Sequence, residues 1–416
     1  MSGKTVCVHG LGYIGLSTAT VLAHSDNQVY GYDTDESLLR ELEHRTVSLD
    51  EPGMERLVVE AMDEGTLTPV RECRAADYHL LCVPTPVVDR RADLSAVTEA
   101  AETATSNLRP GDVVVLESTV PPGTTVKRVL PLLEADGPDE FGLVYAPETV
   151  LPGRILTEVR ENDRLVGGVD AAATKAGVDL YESFVEGRLH TTDATTAEFA
   201  KLAQNTYRDV NIALANEFAK LTREHDVDPR RVIELGNTNP RVDIHTPGPG
   251  PGGHCVPVDP WFLCEGTSRE TLIEYARQLN DEMVSYVCEL VGERFEELAD
   301  RRISVLGAAY KGGVADARNS PGIRLADELR DRYGAKVRLH DPHVSSPNMD
   351  WTIENGSVPE FVAGSDAIVV TTDHDEYRDL HPGPVREGMR TLVAVDTKDV
   401  LDASSWREVG FEVARI

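Results

Sequence analysis

Gly10-Leu11-Gly12-Tyr13-Ile14-Gly15 is the segment whose spacing most directly implies chemistry. It follows a short apolar run, Thr5–His9, and opens a helical pattern over Leu16–His24. A second apolar run, Gln28–Asp33, ends in an acid. In this setting Gly10 permits a tight turn, Gly12 lets a pyrophosphate approach bare backbone, and Gly15 lets helix and strand pack closely. The N-terminus of the helix that this loop opens then faces the phosphates with its partial positive charge, and Tyr13 and Ile14 in the loop are candidates to touch the cofactor. Asp33 accepts both hydroxyls of an adenosine ribose and repels a 2′-phosphate, which favours NAD over NADP. The bland alternative is a structural turn that holds no ligand.

Two further groups of residues suit covalent chemistry. In Gly250-Pro251-Gly252-Gly253-His254-Cys255 the glycines bring backbone close to a ligand and set a thiol among backbone donors, with Asp259 four residues on. A thiolate nucleophile needs such a partly exposed site with a lowered pKa. A buried, inert thiol is the alternative, and His254 need not act as a base, because adjacent side chains diverge. On the Gly- and Pro-free pattern Thr195–His225, the residues Glu198, Lys201 and Asn205 share one helix face. A Lys/Asn pair suits a developing oxyanion; the alternative is a solvated face carrying a Glu–Lys pair. Val83-Pro84-Thr85-Pro86 and Ser118–Thr124, which includes Thr119, follow strand-like runs and line the same cleft, unless their prolines only stiffen loops.

The elements that position these residues alternate. Tyr78–Val83, Asp112–Leu116 and Gly142–Tyr145 are apolar runs separated by helix-length segments, the pattern of parallel βαβ units. A degenerate copy returns roughly 300 residues later, with strands at Arg302–Gly307, Lys336–Asp341 (again ending in an acid), Ala367–Thr371 and Thr391–Val395. Between the copies lie the long helix, capped by Asp193 or Thr195, then Asp228-Pro229, a Pro/Gly-rich stretch from Pro247 to Pro260, and more helix over about 268–298. The fold class is α/β, with two Rossmann-like parallel-sheet domains joined by a central helical segment. Residues 1–192 bind the cofactor, 193–299 are helical and carry the cysteine loop, and 300–416 form the second sheet.

Composition bounds the partners. The 416 residues carry 41 Lys+Arg against 71 Asp+Glu, a formal charge of −30, and only eight of the cations are lysines. Such a surface repels nucleic acid and anionic membranes, so an anionic ligand must meet a local cationic pocket. The cysteines Cys7, Cys73, Cys82, Cys255, Cys264 and Cys288 show no Cys-x-x-Cys pair or other metal spacing. They are expected to be reduced thiols, all but Cys255 in the core, with no metal bound. Met1–Thr5 lacks a signal-peptide pattern and no apolar run approaches a membrane span, so a cytoplasmic protein is expected.

The glycine fingerprint, Ser118–Thr124, Ala146-Pro147-Glu148, the Lys201/Asn205 helix, Gly252-Gly253-His254-Cys255 and the stretch Lys311–Pro321 occur here in an order that resembles the UDP-glucose/GDP-mannose dehydrogenase family. Within it, Leu151-Pro152-Gly153-Arg154, Asn162-Asp163-Arg164 and Asp259-Pro260-Trp261-Phe262 are similar to the UDP-N-acetyl-mannosamine branch, although Thr149 stands where that branch carries Arg. The resemblance implies oxidation of a primary sugar alcohol on a UDP-sugar to a carboxylate, with two NAD⁺ consumed. It implies Cys255 as nucleophile and Lys201 and Asn205 as oxyanion holders. Glu148 would activate water, with Asp259 and Thr119 orienting it. Leu151, Arg154, Arg241, Gly252, His254 and Lys311 join Glu148, Lys201 and Asn205 around the sugar nucleotide, while Pro84, Thr85, Thr119 and Arg318 touch the cofactor. Arg241 resembles an arginine that a dimer partner inserts, which implies a homodimer or higher oligomer through the central helix.

Rival readings are the same reaction on UDP-glucose or UDP-N-acetylglucosamine, a two-electron hydroxyacid dehydrogenase needing no cysteine, and a nucleotide sensor without turnover. The acid-rich, lysine-poor surface also points to a salty cytoplasm, where its self-repulsion is screened. The melting midpoint is therefore expected to rise between low and molar salt; a flat or falling series would contradict the salt reading.

Overall fold

The computed structural model describes residues 3–47, 49, 51–266, 271–346 and 350–416. The chain divides into two compact units, Met1–Gln204 with Trp261–Gly266, and Asn205–Pro260 with Thr267–Ile416.

The first unit contains strands β1 (Thr5–His9), β2 (Gln28–Tyr32), β3 (Leu67–Val70), β4 (Tyr78–Leu81), β5 (Val87–Val88), β6 (Arg91–Ala92), β7 (Val113–Leu116), β8 (Gly142–Tyr145), β9 (Arg164–Gly168) and β10 (Leu189–Asp193). The short β5–β6 hairpin stands apart, and the other eight form one sheet in the order β3-β2-β1-β4-β7-β8-β9-β10. β4 and β7 are buried along their whole length, as continuous apolar runs covered on both faces must be. The sheet is parallel except between β8 and β9, where Val144 pairs with Gly168 in antiparallel register. The sequence showed neither β9 nor β10, whose glycines and polar residues lack an apolar run.

The second unit repeats the plan with β11 (Arg302–Leu306), β12 (Lys336–His340), β13 (Ile353–Glu354), β14 (Ala367–Val370), β15 (Val393–Asp396) and β16 (Glu412–Arg415). All pairs are parallel, in the order β13-β12-β11-β14-β15-β16. This matches β3-β2-β1-β4-β7-β8 of the first sheet, so the repeat read from the sequence holds as topology. The expected strands end one or two residues early at Asp33, Val83, Gly307, Asp341 and Thr371, because ladder bonds give way there to the loops that build the sites.

Among the described residues, four helices occupy the chain between the sheets: Ala194–Glu224, Pro229–Gly236, Asp259–Cys264 and Leu272–Gly292. Asp193 accepts the Thr196 N–H at 2.9 Å and so caps the long helix. Thr271 and Glu274 form a capping box for Leu272–Gly292. That helix stops at Gly292, short of the expected 298. Turn bonds from Arg294 N–H to Val291 and Phe295 N–H to Gly292 redirect the chain, and Leu298 enters the core beside Ile303. The start expected at 268–270 lies outside the described residues.

The two sheets use their strand-end acids differently. Asp33 accepts the Leu11 and Asp35 N–H groups at 2.6 and 2.8 Å and remains at the edge of a cleft. Asp341 is fully buried and accepts from the Ala308, Ala309, His343 and Val344 N–H groups at 2.8–2.9 Å, and from His374 Nε2 at 3.0 Å. Burial alone would raise the Asp341 pKa, but His374 and the backbone donors outweigh it and hold the group at about 2. A carboxylate depressed below its unfolded value of about 3.9 contributes stability that is present above that pH and lost as pH falls toward 2. The difference is worth about 2–3 kcal/mol. Asp341→Asn is expected to lower the pH 7 melting midpoint by several degrees and to flatten the acid limb of stability between pH 4 and 2, read by thermal melts across pH. An unchanged acid limb would contradict this assignment.

Candidate active site

In the first unit, the loop after β1 forms one wall of a cleft of about 600 Å³ whose lining includes Gly10, Asp33, Thr34, Val83 and Pro84. The glycines of the fingerprint divide their tasks in space. Gly10 adopts φ +91°, and a Cβ there would come within 2.6 Å of the Cys82 carbonyl oxygen. A Cβ on Gly15 would fall 1.9 Å from the Gly10 oxygen, so helix and loop touch there. A Cβ on Gly12 meets nothing within 4 Å. Gly12 also begins the Tyr13–Ala23 helix without a side-chain cap, leaving an open, uncapped N-terminus that fits a pyrophosphate. These features fit NAD: Gly10 and Asp33 line the cleft, and Asp33 is bonded to the Leu11 N–H beside Gly12, Tyr13, Ile14 and Gly15.

Buried acids hold the remaining loops of this unit. Glu51 accepts from Tyr13 Oη at 2.8 Å and from the Gly153 and Ile155 N–H groups at 2.7 and 2.8 Å, fixing the segment that contains Leu151 and Arg154. Glu198, fully buried, accepts from the Gly123 N–H and from the Thr125 N–H and hydroxyl at 2.7 and 2.6 Å. The solvated Glu–Lys face considered for this helix is thereby corrected: Glu198 pins the loop that follows Thr119, and Lys201 is buried too. Thr85 donates to the Thr119 carbonyl at 2.8 Å, joining the two proline-bearing loops. Glu117 accepts from Arg164 at 2.6 Å and from Tyr181 at 2.9 Å. Glu148 accepts the Val150 N–H at 2.7 Å. Leu151 is exposed, and Arg154 extends outward 3.6 Å from Glu158. Thr149 is half-buried.

In the second unit the cysteine loop rests on two supports. A Cβ on Gly250 would strike the Asn280 carbonyl at 2.4 Å, and Asn216 accepts the Gly248 N–H at 2.8 Å. Gly253, at φ +83°, lies under the Tyr310 ring, and its N–H donates to the Arg318 carbonyl at 2.9 Å while Asn319 donates to its own carbonyl at 2.9 Å. Gly252 is backed by Tyr310, Asn319 and Pro321. The loop therefore presents His254 and Cys255 outward, both exposed. Cys255 is therefore not the buried thiol of the alternative reading. Asp259, buried four residues on, donates its N–H to the Cys255 carbonyl at 2.9 Å and accepts from Asn205 Nδ2 at 2.6 Å. Arg318 is ion-paired with Asp316 at 2.6 Å. The hydrogen bonds from that pairing raise its pKa, and Cys255 adds to the rise, which puts the guanidinium in the electrostatic field of the thiol. Lys311 and Arg241 are exposed.

Models of three domains of the UDP-glucose/GDP-mannose dehydrogenase family match the chain in order: the NAD binding domain over residues 4–185, the central domain over 195–282 and the UDP binding domain over 304–403. The chain belongs to this family. It is 40% identical over 420 residues to a UDP-N-acetyl-D-mannosamine dehydrogenase of Methanococcus maripaludis, covering 99% of this chain and 96% of the relative. The solved UDP-N-acetyl-D-mannosamine dehydrogenase of Pyrococcus horikoshii superposes with TM-score 0.91 at 37% identity, covering 99% of both chains. That of Staphylococcus aureus gives 0.88 at 35%, over 99% of this chain and 98% of the other. Family membership makes the protein an NAD-dependent UDP-sugar dehydrogenase-type oxidoreductase, with an NAD binding domain over residues 4–185 and a UDP binding domain over 304–403. No helix among the described residues is long and apolar enough to cross a membrane.

Sequence reading missed Glu51, Glu117, Tyr310 and Asn319, which act by fixing loops from afar and carry no local motif. It also passed over Lys398. This lysine follows β15, its Nζ lies 4.0 Å from where a Gly248 Cβ would stand, and burial lowers its pKa. The glycine geometry yields a test. Gly12→Val is expected to weaken NAD binding at least about tenfold with little change in melting midpoint, whereas Gly15→Val lowers the midpoint itself. Equal losses of stability, or unweakened NAD binding by Gly12→Val in a fluorescence titration, would contradict this division.

Proposed function

We propose that this protein oxidises UDP-N-acetyl-D-mannosamine at C6 to UDP-N-acetyl-D-mannosaminuronate, through a covalent adduct on Cys255. The observation that carries the reading is the exposed Cys255 thiol on a loop backed by Tyr310 and Asn280, with Asn205 hydrogen-bonded to Asp259 four residues on. Bound NAD⁺ supplies the hydride acceptor, two equivalents per sugar. Lys201 and Asn205, one helical turn apart on Ala194–Glu224, stabilise oxygen as charge develops on it. Loss of the first hydride and the hydroxyl proton leaves an aldehyde at C6. The Cys255 sulfur adds to its carbonyl carbon, and the thiol proton passes to oxygen, giving a thiohemiacetal. Loss of the second hydride and that proton leaves a thioester. Glu148 takes a proton from water, which attacks the acyl carbon and releases the carboxylate and the Cys255 thiol, with Asp259 and Thr119 orienting the water. Covalent capture retains the aldehyde between the two oxidations.

Residues 1–192 would hold NAD, 193–299 carry the cysteine loop, and 300–416 hold the UDP moiety, with Lys311 near its phosphates and Arg318 reaching the cofactor. Leu151, Arg154, Gly252 and His254 would line the sugar site. The long helix exposes Phe199, Tyr207, Leu214 and Leu221 at spacings of about two turns. Such an apolar stripe supports a homodimer through this helix, with Arg241 of each protomer serving its partner. A reducing cytoplasm suits the exposed thiol. Thr149, standing where the mannosamine branch carries Arg, keeps UDP-glucose and UDP-N-acetylglucosamine as the second reading.

In high salt with NAD⁺ and each UDP-sugar, the enzyme is expected to form two NADH per sugar with UDP-N-acetyl-D-mannosamine and to turn the other two over more slowly. Cys255→Ser is expected to lose uronate production by about 10³-fold or more. One NADH per sugar, or normal uronate from Cys255→Ser, would contradict the mechanism; preference for UDP-glucose would contradict the substrate.

A further inference from the structure

Beneath the adenosine side of the first cleft, the sheet brings together four residues that the oxidation chemistry does not use. Cys7 and His9 lie two apart on β1 and so share a face. His79 on β4 is the register partner of Cys7. Cys73 joins them from the connection between β3 and β4. Cys7, His9 and His79 are at most 1% exposed, and Cys73 is half-buried. The six cysteines carry no metal spacing along the sequence, and five were expected to be plain core; the sheet closes two of them onto two histidines all the same.

The separations have the proportions of a coordination shell. Cys7 Sγ and Cys73 Sγ are 3.8 Å apart, His9 Nε2 and His79 Nδ1 3.1 Å, and Cys73 Sγ lies 3.7 and 3.9 Å from the two ring nitrogens. All four donor atoms lie within 4.8 Å of one another. A tetrahedral ion with Zn–S of about 2.3 Å and Zn–N of about 2.05 Å requires edges of about 3.8 Å for S–S, about 3.3 Å for N–N and about 3.5 Å for S–N. A sulfur–sulfur distance of 3.8 Å is nearly twice a disulfide bond. The outer nitrogens, His9 Nδ1 and His79 Nε2, find no partner among the described residues, so the two rings are held only through their inner nitrogens.

We propose that Cys7, His9, Cys73 and His79 form a structural site for a zinc-like divalent cation. The donor set, two thiolates and two neutral imidazoles, suits zinc over magnesium or calcium, which prefer oxygen. Two thiol protons leave to solvent as the ion binds, so the loaded site carries no net charge, as a buried site in a sheet requires. The ion ties β1 to β4 and anchors the β3–β4 connection. It does so below the cofactor, since His9 lines the cleft and packs edge-on against Tyr32, the residue before Asp33.

The test uses the full chain equilibrated with zinc, desalted and assayed for metal, with cobalt substitution as a second readout. One zinc per chain is expected, as are the tetrahedral cobalt absorption and thiolate charge-transfer bands. Cys73→Ser is expected to weaken zinc binding at least about tenfold, and Cys255→Ser to retain it. A chelator should lower the melting midpoint of the native chain and leave that of Cys73→Ser unmoved. Far less than one zinc per native chain, full zinc retention by Cys73→Ser, loss of zinc with Cys255→Ser, or a Cys7–Cys73 disulfide in the zinc-treated chain would each overturn the proposal. None of these readouts depends on turnover.

Discussion

A chain with a formal charge of −30 that binds two pyrophosphate-bearing molecules must neutralise them locally, and this requirement shapes both units. Bulk electrostatics opposes the ligands, so binding has to come from short-range donors. The first unit offers bare backbone, with an uncapped helix start and a glycine whose missing side chain leaves the approach open, and keeps its carboxylate, Asp33, at the cleft edge. The second places Lys311 after β11 and Arg318 beside the cysteine loop. Most other arginines with resolved ion pairs are tied to surface acids, including Arg71 to Glu43, Arg223 to Glu293 and Arg338 to Glu354. The net charge therefore describes the solvated surface and says little about the clefts.

The excess acids also work inside. Glu51, Glu198 and Asp341 are buried and accept backbone N–H groups from segments that follow strands, while Glu117, also buried, is held by the Arg164 and Tyr181 side chains. A buried carboxylate is costly unless every oxygen is satisfied, and here backbone N–H groups do much of the satisfying. Loops held this way can place a catalytic side chain without secondary structure of their own. The cysteine loop follows the same logic with side-chain amides, since Asn216 and Asn319 bond it at two points, and the Asn280 main-chain carbonyl closes on Gly250.

The fold was legible in the sequence wherever its signal was local. The fingerprint, the buried runs of β4 and β7 and the repeat of strand order all follow from short-range pattern. Asp33 and Asp341 looked alike, each an acid closing a strand, yet one borders a cleft and the other is sealed. The difference lies 33 and 32 residues upstream, where Ala308 and Ala309 replace the glycine spacing and pack inward, fully buried. Glu198 looked solvent-facing because helix periodicity cannot tell which loop will cross it. The antiparallel step at β9 carried no apolar run. The Cys/His cluster escaped because its members come from two strands and a connection, a separation that loop-based metal spacings do not describe.

The central claim is that the glycine-backed thiol captures the sugar between oxidations. Intact-mass measurement of the enzyme, acid-quenched during turnover with NAD⁺ and UDP-N-acetyl-D-mannosamine and then mapped by peptide, tests it most directly. The account predicts an acyl adduct of the nucleotide sugar on the peptide carrying Cys255, more abundant in Glu148→Gln, where hydrolysis is slowed. Turnover with no adduct in either protein, or an adduct on another cysteine, would contradict it.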